Sequence, residues 1–341
     1  MTYRTHLEDY QAVRGGGAGI IDLSSRGRIS VGGSEAVMFL NGLITNDMKT
    51  LEPQRWMPAV FPNVQGRMIA AVRVVRLQDT ENSSRFLLDT EAATHAAVLK
   101  TIERFTLAGD FRVVDITGDT LCFSVQGKQA HHQVRSVLLN DKPPHDGVAQ
   151  TSWNAASVTI IRASHTAEDG VDVFVDRADG FELVESFANA GVIRVDPETL
   201  ETLRIEAGVP RFGIDMDETN VVSETNLDDA LSFTKGCYIG QEIIARIKYR
   251  GHVAKKLTGL TLEAKTVPAA GAAIRSNDGK DIGRVTSATF SPKLDSAIAL
   301  GYVRYEYLAA GTQVVIGEEA VKASVTELPF VRGSWYMSDE L

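Results

Sequence analysis

Lys256-Leu-Thr-Gly-Leu-Thr-Leu262 opens the part of the chain that decides the fold class. Short apolar and β-branched runs separated by glycine continue as far as Val321-Lys-Ala-Ser-Val-Thr326, and helical periodicity is almost absent. Short, evenly spaced strands with glycine turns are typical of a closed all-β domain. The segment 256–341 therefore predicts a small C-terminal β-barrel.

The chain before residue 250 mixes helical and strand patterns without strict alternation. That mixture favours α+β layers over a doubly wound parallel sheet. We predict two domains, residues 1–250 as an α+β body that could divide into two subdomains and residues 256–341 as the barrel, joined by a basic segment. Strands are predicted at 119–125, 158–162 and 171–175 and on both sides of a turn at 62–66; helices are predicted at 34–41 with Ser34 as N-cap, 92–105, 128–139, 181–190 and 197–208.

Composition excludes several classes of protein. The chain has 341 residues and a formal net charge of −9, so general binding to nucleic acid or to an anionic membrane is not expected. Two cysteines cannot build a disulfide framework and suit a reducing compartment. The N-terminus lacks an apolar signal core, and no apolar run approaches the length of a membrane span. These features predict a cytoplasmic protein.

Lys235-Gly-Cys-Tyr-Ile-Gly-Gln-Glu242 places one of the two cysteines between glycines, directly before a helical pattern. Glycine permits the tight turn, and the positive end of the following helix dipole favours a thiolate at Cys237. Lys235 would act in the same direction, so both residues are candidates for chemistry. The alternative is that Cys237 is a small buried hydrophobe, which is our interpretation of Cys122 in its alternating strand.

Two other roles for Cys237, metal binding and hydrolysis, find less support in the sequence. A metal site is not predicted, because the second cysteine is distant and the adjacent His131 and His132 would point in different directions on a helix. A cysteine hydrolase would need the fold to bring His252 or His165 to the thiol.

Glu206 and the basic segment could bind opposite ends of one ligand. A carboxylate accepts two parallel N–H bonds from a guanidine-like ring edge such as a pterin, and Arg246, Lys248 and Arg250 would suit its anionic tail. The alternatives are a solvated helix residue for Glu206 and a solvated linker for the three cations.

Several long motifs in order resemble the YgfZ/GcvT folate-binding family along almost the whole chain. Lys235–Glu242 resembles the mark of its YgfZ-like branch, which includes mitochondrial iron–sulfur assembly relatives. The other motifs are 27–47, Arg204-Ile-Glu-Ala-Gly208 with 213–217, and Thr286–Pro292 with 298–302.

The resemblance implies a tetrahydrofolate-binding GcvT-like α+β body with a central ligand channel and a C-terminal barrel. It implies that Glu206 lies at the family's pterin-binding glutamate and Cys237 at the functional cysteine of the branch. The partners it implies are iron–sulfur client or assembly proteins.

One departure bears on the reaction. Aminomethyltransferases of the family carry an acidic pair after a glycine turn, whereas here Gly66-Arg-Met-Ile69 is followed by Ala70-Ala71. Alanine cannot stabilise a developing cationic charge. We therefore expect a folate-dependent accessory factor for synthesis or repair of iron–sulfur clusters, including those of radical enzymes that modify tRNA. A folate-dependent aminomethyltransferase or demethylase and a non-catalytic scaffold are the alternatives, and enzymatic turnover is left open.

Overall fold

The computed structural model describes residues 2–105, 109–138 and 147–340, without the side chains of residues 2–6, 250 and 338–340. The end of the helix predicted at 128–139 and the last residue of the segment 256–341 lie outside the described residues. The helices are α1 (Thr2–Arg14), α2 (Ala36–Leu43), α3 (His95–Phe105), α4 (Ala130–Leu138), α5 (Gly180–Asn189), α6 (Pro197–Glu206) and α7 (Gln241–Arg250).

The strands form two open sheets and one barrel. They are β1 (Gly19–Asp22), β2 (Gly27–Gly33), β3 (Arg55–Pro62), β4 (Met68–Arg76), β5 (Ser84–Thr90), β6 (Arg112–Asp115), β7 (Thr120–Gln126), β8 (Val148–Trp153), β9 (Ala156–Arg162), β10 (Gly170–Asp176), β11 (Ile193–Arg194), β12 (Lys255–Leu262), β13 (Ala273–Ser276), β14 (Asp281–Ser291), β15 (Ser296–Arg304), β16 (Gln313–Ile316) and β17 (Val321–Thr326). The open sheets have the orders β11-β1-β7-β10-β9-β8 and β3-β4-β5-β2-β6. Both contain mostly antiparallel pairs.

The C-terminal strands close into a barrel in the order β12-β15-β14-β13-β16-β17, because β12 pairs with both β15 and β17. Strand β15 is buried on both faces. Ala297 and Val303 point into the barrel core, whereas Ile298 and Leu300 pack outward against Ile205 of α6. Alternation along the strand thus fills the barrel and joins it to the body.

The open sheets share a core that also contains α1. Tyr10 and Val13 of α1 pack with Val75, Cys122 and Phe174, which come from both sheets. Cys122 is 1% exposed, which confirms its prediction as a core residue.

Helix boundaries follow local capping. The Asp196 side chain accepts hydrogen bonds from the backbone N–H groups of Glu198 and Thr199, so α6 begins at Pro197 as predicted. The prediction that Ser34 caps α2 is wrong. The helix begins at Ala36 after Glu35, and the Ser34 hydroxyl donates to Asp110 instead.

The predicted fold class, an α+β body with a C-terminal all-β barrel, is confirmed. Among the described residues, no helix is both long and apolar enough to cross a membrane.

Candidate functional site

A cavity of about 690 Å³ opens beside α6, between the β1–β2 turn and the loop that follows β9. This volume lies in the range of about 300–1,000 Å³ that small-molecule sites occupy. Its wall consists of Asp9, residues 21–26, Glu91, His165, residues 194–197, Leu200, Arg204 and residues 209–211. Apolar and charged groups therefore meet in one place, as a ligand with a ring and polar substituents requires.

A chain of buried ion pairs runs from the cavity wall between the two open sheets. Arg26 Nε lies 2.8 Å from one Asp89 oxygen, and Arg73 Nη2 lies 2.8 Å from the other. The same Arg73 nitrogen lies 2.6 Å from Asp172, whose two oxygens each lie 3.1 Å from His165 Nε2. Since Arg73 and Asp89 are in one sheet and Asp172 is in the other, the pairs connect the sheets.

Asp89 and Asp172, the two aspartates in this series of ion pairs, are ionised. Burial by itself raises the pKa of Asp89, but the Arg26 and Arg73 guanidinium groups outweigh it and lower that pKa below its ordinary value. Burial also opposes the charge on Asp172, whereas His165 and Arg73 bring its pKa far below the ordinary range. The network is therefore a set of fixed charges beneath the cavity.

Glu206 is fully buried, so it is not a solvated helix residue. Its Oε1 accepts hydrogen bonds from the hydroxyls of Tyr10 at 2.8 Å and Ser291 at 2.5 Å. Its Oε2 lies 3.0 Å from Nε and 2.9 Å from Nη2 of Arg14. Burial and the adjacent Glu206 charge raise the pKa of Tyr10, which therefore stays a donor.

The Arg14 guanidinium takes the place at Glu206 that we predicted for the guanidine-like edge of a pterin. A third Arg14 nitrogen, Nη1, lies 3.0 Å from Glu168, so the guanidinium bridges two carboxylates. A ligand could reach Glu206 only by displacing Arg14 and Tyr10. In this arrangement Glu206 joins α1, α6 and the barrel, and its assignment as a pterin ligand stays a prediction.

Cys237 is exposed, in a loop that Gly240 holds against the β3–β4 turn. Gly240 has φ 74°, and a Cβ there would lie 2.2 Å from the Asn63 carbonyl oxygen. Helix α7 begins directly afterwards at Gln241, whose side chain accepts from the Tyr238 N–H. The thiol therefore precedes a helix N-terminus and is open to solvent, which excludes the buried alternative.

Lys235 anchors the same loop. Its ammonium donates to the carbonyl oxygens of Asn41, Ile44 and Asn46 at 2.8, 2.8 and 2.6 Å, at the end of α2 and just beyond it. Burial lowers the pKa of Lys235 to about 8, with Asp47 opposing the shift. Since its nitrogen is bound to three carbonyls, the geometry supports a positioning role for Lys235; the predicted chemical role has no support in these contacts.

The basic residues of α7 lie on the protein surface. Arg246 and Lys248 are exposed, with Lys248 Nζ 5.1 Å from the centre of the Phe233 ring. Arg250 ends α7, and its side chain lies outside the described residues. In the described part of the chain, the cavity wall includes neither these residues nor Glu206, Lys235 or Cys237. The fold therefore does not gather the predicted site residues around this cavity.

Ala70 and Ala71 lie within β4, three and two residues before Arg73. Ala70 is fully buried in the core under the five-stranded sheet, and Ala71 packs against the cluster around Met68. Neither carries a group that could orient or stabilise a reacting ligand.

Sequence reasoning missed the charged residues beneath the cavity. Their signal is a charge inside an apolar strand: Arg73 interrupts 68–75, Asp89 follows Phe86-Leu-Leu88, and Asp172 interrupts 171–175. Such residues must find partners when buried. Sequence alone could not show that Arg73 and Asp172 are partners, because they lie in different sheets.

Within the described ranges, no group of three or more His, Cys, Asp or Glu side chains is placed to bind a metal ion.

The chain matches known proteins over nearly its full length. Residues 2–235 match the GCVT N-terminal domain, and residues 255–332 match the glycine cleavage T-protein C-terminal barrel domain. An aminomethyltransferase of Alcanivorax borkumensis is 30% identical over 338 residues, covering 97% of this chain and 90% of the relative. An aminomethyltransferase of Nostoc sp. is 29% identical over 332 residues, covering 96% and 88% respectively.

A solved structure has the same fold. The glycine cleavage system aminomethyltransferase T of Bartonella henselae superposes with a TM-score of 0.88 at 24% identity, covering 96% of this chain and 90% of that one. Tetrahydrofolate, the cofactor predicted from the sequence, is the one that aminomethyltransferases of this family use. The chain belongs to the glycine cleavage T-protein family, with its N-terminal domain and its C-terminal barrel domain.

Proposed function

We propose that this protein binds tetrahydrofolate in the cavity beside α6 and serves as an accessory factor for synthesis or repair of iron–sulfur clusters in client enzymes, including tRNA-modifying radical enzymes. The observation that carries the accessory role is the exposed Cys237 thiol in its fixed loop. A fixed, solvent-facing thiol before a helix N-terminus suits contact with another protein's cluster. The Lys235–Glu242 motif, which resembles the YgfZ-like branch, supports the same role.

The folate half of the proposal rests on family membership and on the cavity. About 690 Å³ of space with both apolar and charged walls can accept a ring and a carboxylate tail. Arg194 and Arg211 lie on this wall; Arg211 is 40% exposed at its side chain, and its Nη1 lies 3.2 Å from the partly exposed Glu201. They offer cations to an anionic tail in place of the α7 residues that the sequence suggested.

Aminomethyl transfer is the second candidate. The matched relatives are named aminomethyltransferases, which supports this activity more directly than the accessory role, and the matches span both domains. Against it, Ala70 and Ala71 provide no carboxylate, and the buried Asp89 and Asp172 are already paired with Arg73. A buried carboxylate in an ion pair has little free charge for a developing cation.

Complementation separates the two candidates. In a strain lacking this protein, we expect Cys237→Ser to restore little of the activity of iron–sulfur enzymes. Thr234→Ala, at an exposed position of the same loop, should restore it fully. Full rescue by Cys237→Ser would exclude the thiol role.

Purified protein provides the second test. We expect calorimetry to detect tetrahydrofolate binding, and we expect no transfer from an aminomethylated carrier to tetrahydrofolate. Turnover of that carrier would favour the second candidate, and absence of binding would exclude the folate half of the proposal.

A further inference from the structure

Most of α7 faces away from the rest of the protein. Of the side chains that the structure describes on this helix, Ile244 alone is buried, at 1% exposed. Residues 242, 246 and 249 recur at helical spacing on the opposite side. We call the five exposed side chains of the helix the α7 face: Glu242, Ile243, Arg246, Lys248 and Tyr249.

The cations of this region are not used by the fold. Residues 246–256 contain five lysines and arginines and no carboxylate, in a chain whose formal net charge is −9. Lys256 is paired with Asp228 at 3.2 Å. Among the described side chains, Arg246 and Lys248 have no ion-pair partner. Their charges are therefore available to another molecule.

Two carboxylates lie near these cations without neutralising them. Glu242 lies one helical turn before Arg246, outside ion-pair distance. Glu224, in the turn at 222–224 that packs against α7, accepts a hydrogen bond from Asn220. Since Arg250 ends the helix, three cations stand against two carboxylates, and the region stays positive.

Apolar groups are exposed beside the cations. Tyr249 is 69% exposed and Ile243 39%. The β3–β4 turn adjoins them, because a Cβ on Gly66 would lie 3.0 Å from Ile243 Cβ, and Val64 in this turn is 71% exposed. Exposed tyrosine and arginine side chains in one place are typical of protein interfaces.

The loop of Cys237 runs alongside α7. At the end of the helix, the Phe233 ring lies 6.2 Å from the Tyr249 ring and 5.1 Å from Lys248 Nζ. At its start, the Tyr238 N–H donates to the Gln241 side chain. The exposed thiol lies between these two contacts, so a molecule that reaches Cys237 also meets the α7 face.

We propose that the α7 face binds an acidic surface of the iron–sulfur protein whose cluster Cys237 serves. Carboxylates of the partner pair with Arg246 and Lys248, and an apolar side chain among them packs on Tyr249. This inference rests on the proposed function and names the surface chemistry of its partner. A helix of ten residues is about 15 Å long, so the contact is small, as in transient encounters that bury less than about 1,200 Å².

A folded protein suits this face better than a nucleic acid or an anionic membrane. The unpaired cations are confined to one helix, whereas the whole chain has a net charge of −9. A long polyanion or a membrane would extend beyond the Debye length of about 8 Å from these cations and meet acidic surface. A protein can limit its carboxylates to the area of the α7 face and offer Tyr249 an apolar contact.

Site-specific photo-cross-linking tests what the face binds. A photoreactive phenylalanine analogue replaces Tyr249 in the full chain, expressed in the strain that lacks this protein. The control position is Tyr336, which is 45% exposed near the end of the chain. We expect the probe at 249 to join the protein to an iron–sulfur protein through an acidic segment, and the probe at 336 to give no such product. In lysate, raising the salt from about 0.05 M to about 0.5 M should lower the yield at least about tenfold, because screening weakens exposed ion pairs.

Charge reversal tests the complementarity. Arg246→Glu combined with Lys248→Glu should lower the cross-link yield at least about tenfold and lower iron–sulfur enzyme activity in the strain. Lys100→Glu combined with Arg104→Glu makes the same change of charge on the exposed side of α3 and should leave both unchanged. Replacing carboxylates of the cross-linked segment by lysine should restore binding to the reversed α7 face.

Several outcomes would overturn the proposal. They are a cross-link at 249 to a second copy of the chain, to RNA or to a protein without an iron–sulfur cluster, the absence of any cross-link, and a yield that charge reversal does not change. If the double variant of α7 fails to fold by circular dichroism, Arg246→Gln with Lys248→Gln replaces it with the same expectation.

Failure of the proposed function is seen separately. Full rescue by Cys237→Ser removes the thiol role whatever the α7 face binds. If Cys237→Ser does not rescue but the folded double variant of α7 rescues fully, the thiol role stands and the docking proposal is wrong.

Discussion

Glu206 and Cys237 are the two residues to which the sequence motifs give most weight, and the fold treats them in opposite ways. Glu206 is fully buried, with both oxygens bound by Tyr10, Arg14 and Ser291. Cys237 is exposed in a loop in which Lys235 and Gly240 make close contacts with the backbone of other segments. A motif residue can thus be buried where it joins several elements, as Glu206 is, or be open to solvent, as Cys237 is.

The largest expected contrast is between the two thiols. Cys237 should react with an aromatic disulfide reagent in the native protein, whereas Cys122 should react at least about 1,000-fold more slowly, because it is exposed only on unfolding. Burial also raises the pKa of Cys122 well above its ordinary value, which further suppresses its thiolate. The release of the aromatic thiolate with time measures both rates, and Cys237→Ser should abolish the fast phase. Two fast thiols would show that the core around Cys122 opens readily.

Removing Arg14 should destabilise the protein most. Arg14→Ala leaves Glu206 and Glu168 buried without their shared cation, a loss of about 3–5 kcal/mol of unfolding free energy. Urea denaturation measures this change. Arg112→Ala, at an exposed position of β6, is the control and should change stability by less than about 0.5 kcal/mol. Equal effects of the two substitutions would mean that Glu206 is not part of a structural junction.

The two glycines that flank Cys237 should differ in their tolerance of alanine. Gly240→Ala combines φ 74° with a Cβ 2.2 Å from the Asn63 oxygen and should cost about 2 kcal/mol or more. Gly236→Ala adds a methyl group to open space and should be close to neutral. Denaturation midpoints of both variants give the comparison. If Gly240→Ala is also neutral, the loop is not held against the β3–β4 turn.

Lys235 should give the smallest effect and the one with a pH signature. Lys235→Met leaves the carbonyls of Asn41, Ile44 and Asn46 without their donor, at a cost of about 1–3 kcal/mol. Burial lowers the pKa of Lys235 from 10.5 to about 8, so between these values the unfolded chain keeps a proton that the native protein has released. The wild type should therefore gain stability relative to Lys235→Met as pH rises from about 8 to about 10.5.

Urea denaturation across this pH range tests the sign. A relative loss of stability would mean that the three carbonyl oxygens favour the ammonium more strongly than burial opposes it. Lys100→Met, at an exposed position of α3, should show neither effect.

The sequence was a good guide to local structure and to the family. Periodicity identified the closed barrel, the mixed body and the start of α6 at Pro197, because apolar alternation and capping act over a few residues. It failed at Ser34, where the hydroxyl binds Asp110 from a distant part of the chain rather than the helix that follows.

The sequence by itself determined that a thiol lies in a glycine-flanked turn before a helix, and that the turn at 62–66 is followed by Ala70 and Ala71 with no carboxylate in either position. Only the tertiary structure decided what surrounds these residues. Glu206 meets Arg14 across 192 residues of sequence, and Asp172 in one open sheet meets Arg73 in the other. Burial, ion pairing and access to a cavity depend on such contacts between distant segments, which local residue patterns do not specify.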